Sequence, residues 1–427
     1  MSLISKLEHE AVVADGALGT QLEENRGLSA GLNLTHPDEV RECTEAYIEA
    51  GAQMVRTNTF GATQPVLQAY GLADKEDEIN EKGAQIALEC VRGTEIDVAG
   101  SVGPTGLHFA PAGYTNFDAA VQIFTVQFRA LKKAGIHILS LESFSDITEM
   151  RAAIMAANHL GGFEIVASMV YGGSGKTFTG TPARACAVIC ESLGAGVVGA
   201  NCGTDPRHAQ AVMQDMASSV RVPLSAMPSA GQPDKQNGEY PAGPEAFAAD
   251  MLMCADAGAR LLGGCCGTTP TYIRDIRKAL QKRPLPSRVQ QKGAWIASPL
   301  GALDLSRDGL RFAQMDLPAV KEQMEDDDFS SVSYALPADW EFCDACVLDF
   351  HGLEDDFDVQ KLVTAVTLYL KKPVIVAGGT SELVELFLRY YPGRAAVLHR
   401  ARMLDLPFGA LVVGRGYKPI TEQSAES

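Results

Sequence analysis

Residues 260–270 read Arg260-Leu261-Leu262-Gly263-Gly264-Cys265-Cys266-Gly267-Thr268-Thr269-Pro270. A short apolar run of strand type ends here in two adjacent cysteines flanked by glycines. This run is the eighth of a series that extends along the first 280 residues or so. The series decides the fold class, and its last member carries the most distinctive chemistry in the chain.

Each of the eight runs is β-rich, and helical patterning lies between them. We predict strands beginning near Val12, Met54, Val98, Ile138, Ile165, Val197, Leu224 and Arg260. We predict helices at Pro37 to Ala50, Glu76 to Val91, Phe117 to Ala134, Asp146 to Ala157 and Pro244 to Ala257. Eight strands alternating with helices over this length fit a closed parallel (β/α)8 barrel, or TIM barrel. An open doubly wound sheet is the alternative, but no Gly-x-Gly-x-x-Gly follows the first strand.

The chain has 427 residues, of which 46% are hydrophobic, and is too long for one ordinary domain. We predict that residues 1–282 form the barrel and that the basic, Pro-containing residues 283–297 form a linker. Residues 298–427 are predicted to be a small α/β domain of unknown role. Its predicted strands are Ala345–Phe350, Pro373–Ala377, Ala395–His399 and Ala410–Val413, and its predicted helices are Val359–Leu370 and Ser381–Tyr391.

Charge and composition argue against several classes of partner. The formal net charge of −17 disfavours binding to nucleic acid or to anionic lipid. No apolar run of 18 residues and no signal-type amino terminus is found, so we expect a cytoplasmic protein. In that compartment the ten cysteines would stay reduced, and their positions matter more than their number.

Three of these cysteines end predicted strands, and the carboxyl ends of barrel strands converge on one face. Cys202 ends the sixth strand, while Cys265 and Cys266 end the eighth. Neighbouring residues in a strand point to opposite faces, so both can meet one ion only if the chain turns, which the adjoining glycines permit. Three thiolates then offer zinc three ligands and leave a fourth position open, as catalytic zinc sites do.

The ligand set predicts the type of reaction. A free thiol has a pKa of about 8.5, and a coordinated thiol is deprotonated. A substrate thiolate at such an electron-rich site remains a nucleophile suited to in-line attack on an activated methyl group. Hydrolytic zinc sites of the His-Glu-x-x-His type are absent from the sequence. The alternative is that these cysteines only pack, as buried cysteines often do.

At these residues the chain resembles the homocysteine S-methyltransferase family, which includes the homocysteine-binding module of cobalamin-dependent methionine synthase and betaine–homocysteine methyltransferase. The resemblance covers residues 8 to 282 or so. It rests on Asp15-Gly16-Ala17-Leu18-Gly19-Thr20, Thr57-Asn58-Thr59-Phe60, Gly103-Pro104-Thr105, Asn201-Cys202 and Gly263 to Pro270. The Thr-Thr-Pro ending is more similar to the methionine synthase branch. The resemblance implies a (β/α)8 barrel, a zinc site of three cysteines and homocysteine as methyl acceptor.

The resemblance also implies a set of substrate-binding and catalytic residues. Glu142 matches the carboxylate that holds the substrate ammonium, and Asp15 matches the acidic residue beside it. The backbone amides of Gly16 and Ala17 would receive the substrate carboxylate, and Ser168 completes the predicted substrate-binding set. An amino-acid substrate does require an anion and hydrogen-bond donors of this kind. The alternative for Asp15 and Glu142 is loop capping.

Two departures from the methionine synthase pattern concern the metal and the methyl donor. Ser229 stands where that branch has an asparagine. The sequence therefore does not identify the fourth ligand of the metal in the absence of substrate. The nearest match to a cobalamin-binding Asp-x-His-x-x-Gly motif begins at Asp349 and lacks its final glycine. We therefore expect methylcobalamin to be supplied by a corrinoid partner protein. Betaine and S-methylmethionine are alternative donors, and a non-catalytic homocysteine- or zinc-binding protein is the alternative function.

Overall fold

The structure is a computed structural model that describes residues 2–22, 27–109, 113–203, 205–234, 240–281, 284–286, 293–318, 321, 324, 329–353, 355–398 and 406–414. The chain divides into two compact units. The first comprises Met1–Thr179 and Gly194–Gln290, and the second comprises Gly180–Leu193 and Gln291–Ser427. Among the described residues, no helix combines the length and the apolar character needed to cross a membrane.

The first unit is built on a sheet of eight parallel strands in the order β1-β8-β7-β6-β5-β4-β3-β2. These are β1 (Val12–Val13), β2 (Met54–Arg56), β3 (Asp97–Val102), β4 (Ile138–Phe144), β5 (Glu164–Met169), β6 (Val197–Cys202), β7 (Leu224–Pro228) and β8 (Ala259–Leu262). A parallel bridge between Ala14 and Met54 joins β1 to β2, and the Asp15 amide donates to the Met54 carbonyl at 3.0 Å. The sheet therefore closes on itself, and the predicted (β/α)8 barrel is confirmed.

Helices follow the strands in the expected alternation. They are α1 (Leu3–His9), α2 (Gly19–Leu22), α3 (Leu32–Thr35), α4 (Pro37–Glu49), α5 (Gln64–Gln68), α6 (Glu76–Cys90), α7 (Phe117–Lys133), α8 (Ile147–Leu160), α9 (Ala183–Ser192), α10 (Pro206–Ala217), α11 (Pro244–Asp256) and α12 (Pro270–Gln281). The five predicted helices correspond to α4, α6, α7, α8 and α11. Their boundaries follow local chemistry: Asn116 caps α7 by accepting from the Ala119 amide at 2.7 Å, and Asp146 caps α8 in the same way.

Helix α1 closes the amino-terminal end of the barrel. Leu3 and Leu7 are fully buried and pack in one cluster with inward-facing strand residues such as Met54, Val166 and Leu261. Burial of such side chains is the main favourable contribution to folding. The barrel is therefore filled at this end, and any cavity has to open at the carboxyl ends of the strands.

The second unit contains two sheets. Strands β9 (Trp295–Ser298) and β10 (Gly301–Asp304) form an antiparallel pair. Strands β11 (Phe312–Asp316), β12 (Ala345–Asp349), β13 (Val374–Ala377), β14 (Ala396–Leu398) and β15 (Leu411–Val413) form a parallel sheet in sequential order. Its helices include α13 (Val359–Ala365), followed by a π turn at Val366–Leu370, and α14 (Ser381–Tyr390). The prediction of a smaller α/β domain is confirmed.

The boundaries of this unit differ from the predicted ones at two places. Strand β9 begins at Trp295, inside the predicted linker 283–297, because Ile296 is fully buried against the parallel sheet and Ala297 exchanges two backbone hydrogen bonds with Arg394. Helix α9 groups with this unit although it lies within predicted barrel residues 1–282, since Arg184 stacks on the Trp295 ring at 5.4 Å. Linker residues 283 and 287–292 and His399 lie outside the described residues.

Glu149, in α8, is a buried carboxylate that lies beside the loop following β3. It is 4% exposed, and its Oε1 accepts from the Thr105 amide at 2.7 Å and from the Thr105 hydroxyl at 2.6 Å. Burial raises the pKa of Glu149 from 4.5 to about 7, against the opposing effect of the Thr105 hydrogen bonds. The unfolded chain therefore releases this proton at lower pH than the folded chain, and stability falls as pH rises from about 4.5 to about 7.

We expect Glu149→Gln to raise the free energy of unfolding at pH 8 by roughly 1–3 kcal/mol, because the amide keeps an accepting oxygen without a charge. At pH 5 the gain should be smaller, since Glu149 of the folded protein is then protonated and pH 5 lies only slightly above the unfolded pKa of 4.5, so most of the loss of stability has not yet occurred. Denaturant titrations of both proteins at the two pH values measure the difference. An equal effect at both pH values would show that the charge of Glu149 is not responsible.

Candidate metal centre

Three cysteine sulfurs meet at the carboxyl ends of β6 and β8. The Sγ atoms of Cys202 and Cys266 are 3.8 Å apart, those of Cys265 and Cys266 are 4.0 Å apart, and all three lie within 4.8 Å of one another. These spacings are far longer than a disulfide bond of about 2.05 Å. Tetrahedral ligands at the usual Zn–S length of about 2.3 Å would be separated by about 3.8 Å. The three side chains therefore fit a zinc ion.

A tight turn after β8 brings the adjacent cysteines to one point. Cys265 donates its amide to the Pro228 carbonyl at 2.9 Å, which holds it beside β7. The Thr268 amide and hydroxyl both donate to the Cys265 carbonyl, at 3.0 and 2.7 Å. Gly267 has a φ of +80° and its Cα faces the Tyr240 ring, so a Cβ there would lie 2.3 Å from the ring. As expected, the chain turns at this point, and the conformation at Gly267 is one that only glycine accommodates.

Gly267→Ala tests whether this turn sets the metal site. We expect zinc affinity to fall about 10- to 100-fold, the range for residues that orient metal ligands, because the new methyl must displace Tyr240 or the Cys266 backbone. Gly71→Ala is the matched control: Gly71 has a similar φ of +70° and nothing within 4 Å of an added Cβ. Zinc affinity is measured by competition with a chelator. Equal losses in both variants would assign the effect to backbone strain instead.

Hydrogen bonds among the thiols polarise the cluster. Hydrogen bonds with Cys265 and Cys266 lower the pKa of Cys202, and the same hydrogen bonds raise the pKa of both partners. The Ser229 hydroxyl lies 3.7 Å from the Cys202 sulfur and also lowers its pKa. Within the cluster, the pKa of Cys202 is therefore the one that is lowered, and Ser229 adjoins the metal site through its contact with this sulfur.

Arg56, at the end of β2, joins the two predicted carboxylates. Its Nε donates to Asp15 at 2.7 Å and its Nη1 donates to Glu142 at 2.5 Å, and all three side chains are buried. The second oxygen of Glu142 accepts from the Ser101 hydroxyl at 2.6 Å. Burial alone would lower the pKa of Arg56, but the charges of Asp15 and Glu142 raise it overall, so the guanidinium stays charged. Burial raises the pKa of Glu142, against the effect of Arg56.

The Asp15–Ala17 segment adjoins the cysteine turn. Arg56 Nη2 donates to the carbonyls of Gly16 at 2.6 Å and Gly264 at 3.0 Å. The Ala17 amide lies 3.3 Å from the Thr268 hydroxyl, and a Cβ on Gly16 would lie 2.7 Å from the same oxygen. The carboxylates, the predicted backbone donors and the metal ligands thus form one connected region.

A cavity of about 310 Å³ opens in this region. It is lined by Gly16, Ala17, Leu18, Gly19, Thr20, Ser29, Arg56, Thr57, Asn58, Phe60, Ser101, Glu142, Ser143, Cys202, Cys265 and Cys266. Asp15 is bonded to Arg56 and does not itself line the cavity. The predicted metal ligands, Glu142 and the two predicted backbone donors therefore share one space.

Ser168 is not brought to this cavity. Its hydroxyl is fully buried and lies 2.8 Å from the Ser225 hydroxyl. The two serines belong to β5 and β7 and are in register with Gly199 of β6, where a Cβ would lie 2.2 Å from the Ser225 hydroxyl. The missing side chain at Gly199 lets the serines meet inside the barrel. The prediction of Ser168 as a substrate contact therefore finds no support in its position.

Residues 12–280 match the family model for homocysteine S-methyltransferase. Methionine synthase of Mycobacterium tuberculosis is 27% identical over 92% of this chain and 36% of its own length. Methionine synthase of Mycobacterium leprae is 31% identical over 66% of this chain and 25% of its own length. The chain thus spans about a third or less of the curated relatives that it matches.

The barrel is also similar to solved structures of the homocysteine methyltransferase MmuM from Escherichia coli. The metallated form superposes with a TM-score of 0.54 at 24% identity, covering 64% of this chain and 96% of MmuM. The apo form superposes with a TM-score of 0.53 at 25% identity, covering 65% and 98%. These similarities confirm the barrel fold, and the family model over residues 12–280 confirms the resemblance inferred from the sequence motifs.

Proposed function

The chain belongs to the homocysteine S-methyltransferase family, and on this premise we propose that it transfers a methyl group to the thiol of homocysteine and forms methionine. The observation that carries the proposal is that three cysteine sulfurs within 4.8 Å of one another share a cavity with Glu142 and Arg56. This arrangement offers separate positions for the sulfur and the ammonium group of one amino acid. The protein would then be a methyltransferase of methionine biosynthesis and one-carbon metabolism.

Cys202, Cys265 and Cys266 would hold zinc, which when bound supplies a Lewis acid that keeps a substrate thiol deprotonated at neutral pH. The nearby Glu142 would receive the substrate ammonium. Asp15, Glu142 and Arg56 together carry a net charge of −1 when ionised, which complements a single ammonium group. Asp15 would act through Arg56, by holding the guanidinium against Glu142.

Gly16 and Ala17 line the cavity, and their amides would donate to the substrate carboxylate, the Ala17 amide in place of its present bond to the Thr268 hydroxyl. With both ends of the amino acid held, the sulfur is directed toward the mouth of the barrel, where a donor can approach in line. The sulfur–methyl bond forms as the donor–methyl bond breaks, and the thiol proton leaves to solvent. Because α1 fills the opposite end of the barrel, the donor has to enter from the carboxyl ends of the strands.

For the methyl donor we propose methylcobalamin on a separate corrinoid protein. The support is the Gly-Gly-Cys-Cys-Gly-Thr-Thr-Pro block and the similarity to two methionine synthases. Betaine and S-methylmethionine are the competing donors. We also propose a cytoplasmic location, since all ten cysteines are free and a metal site of three thiolates needs a reducing compartment.

A donor screen tests this proposal. The zinc-loaded chain is incubated with homocysteine and methylcobalamin, betaine or S-methylmethionine in parallel, and methionine is quantified by mass spectrometry. Methionine formation mainly from methylcobalamin is expected, with and without an added corrinoid protein. Preference for betaine or S-methylmethionine would overturn the donor assignment. Binding of homocysteine without transfer from any of the donors would point instead to a homocysteine- or zinc-binding protein.

A further inference from the structure

Asn201 connects two strand ends that carry different parts of the site. It is 1% exposed and precedes Cys202 at the end of β6. Its Oδ1 accepts from the Ser143 amide at 2.8 Å, and its Nδ2 donates to the Ser143 hydroxyl at 3.0 Å. The same Nδ2 lies 4.0 Å from the Cys265 sulfur. One buried amide therefore contacts the end of β4 and the cysteine cluster together.

The backbone is in the left-handed region on both sides of this contact. Ser143 has a φ of 64° and Cys202 a φ of 55°, values that residues other than glycine rarely adopt. Such conformations persist only where the surrounding structure holds them, and they concentrate at functional sites. Asn201 bonds Ser143 through both polar atoms of its side chain and is covalently joined to Cys202. It thus secures both turns.

We propose that Asn201 is a positioning residue that sets the separation between Glu142 and the cysteine cluster and thereby selects the length of the substrate. Glu142 directly precedes Ser143, so a shift of the Ser143 turn moves the carboxylate that would hold the ammonium. Cys202 directly follows Asn201, so the same side chain limits the position of the sulfur site. This inference rests on the proposed function and adds a reason why homocysteine would be preferred over cysteine, which is one methylene shorter.

A second buried asparagine, Asn80, serves as a control that distinguishes a positioning role of Asn201 from a general contribution to stability. Asn80 in α6 is fully buried and donates to the carbonyls of Ala62 at 2.7 Å and Glu76 at 2.9 Å. Like Asn201, it does not itself line the cavity, but its partners also lie outside the cavity, whereas Asn201 contacts Ser143 and Cys265, which both line it. Removing either amide should destabilise the barrel to a similar degree, whereas only Asn201 is joined to the two subsites.

The test measures binding of L-homocysteine, L-cysteine and propanethiol to the zinc-loaded protein by isothermal titration calorimetry. For Asn201→Ala we expect zinc to stay bound, homocysteine affinity to fall about tenfold, the effect of losing one well-formed hydrogen bond, and the homocysteine-to-cysteine preference to fall with it. Propanethiol lacks the ammonium and carboxylate groups, so its affinity should not change. For Asn80→Ala we expect lower thermal stability and an unchanged preference.

An unchanged homocysteine-to-cysteine preference in Asn201→Ala would overturn the inference and leave the proposed function intact. If the native zinc-loaded protein binds no homocysteine, the proposed function fails and the inference fails with it. Should Asn201→Ala not fold, Ser143→Ala removes one of the same hydrogen bonds from the other side. A preference reduced about threefold in Ser143→Ala supports the inference, and an unchanged preference overturns it.

Discussion

Cys265→Ser is expected to remove stoichiometric zinc and to lower methionine formation more than about 100-fold, since losing a ligand costs more than losing a residue that only orients one. Cys265 lies at the centre of the turn: its sulfur is 4.0 Å from Cys266, its amide is bonded to Pro228 and its carbonyl receives both donors of Thr268. A serine hydroxyl would not ionise to replace the thiolate. The two remaining sulfurs offer too few ligands for a stable catalytic site.

Cys90→Ser is the matched control for this variant. Cys90 is also partly buried and free, but it lies at the end of α6, where it packs against the cluster that includes Leu22 and Val40 and its sulfur is 4.0 Å from the Arg41 carbonyl. Zinc content by atomic absorption and methionine formation should both be unchanged in this protein. If Cys265→Ser retained one zinc per chain at native affinity, the assignment of the cysteine cluster as the metal site would be wrong.

Arg56→Met is expected to lower the free energy of unfolding by about 3–5 kcal/mol, the usual result of removing one partner from a buried ion pair. The methionine would leave Asp15 and Glu142 facing each other without a counterion, and both are buried. The carbonyls of Gly16 and Gly264 would lose their donor as well. Denaturant unfolding of the two proteins under the same conditions measures the loss.

Arg41→Met provides the comparison for an exposed pair. Arg41 lies 2.7 Å from Glu89 with both side chains partly in solvent, where such pairs contribute up to about 1 kcal/mol. Adding Glu142→Gln to Arg56→Met should recover part of the lost stability, because it removes one of the uncompensated charges. A loss in Arg56→Met no larger than that in Arg41→Met would show that the carboxylates do not depend on Arg56.

The barrel was predictable because its signal is local. Strand starts at Val12, Met54 and Ile138 agree with the sequence pattern, since short apolar runs bounded by turns mark buried parallel strands. Strand β9 was missed, because Trp295 and its neighbours follow a basic, Pro-containing segment and their burial depends on a distant sheet. Helix α9 likewise groups with the second unit through contacts that no periodicity reveals.

The candidate site was predictable only in part, for a related reason. Adjacent cysteines between glycines carry their own chemical signal, and the structure brings them to Cys202. Arg56 carries no such signal: it is one charged residue at a strand end, and its partners lie 41 and 86 residues away. Ser168 lies away from the cavity because Gly199 in the neighbouring strand lets it meet Ser225, and sequence alone does not show which strands meet across the barrel.

The most direct test of the central claim is X-ray absorption spectroscopy at the zinc edge of the zinc-loaded protein, with and without homocysteine. The cluster of Cys202, Cys265 and Cys266 predicts three sulfur neighbours around zinc in the free protein and four after homocysteine is added. Fewer than three sulfurs in the free protein, or no added sulfur with homocysteine bound, would contradict the account.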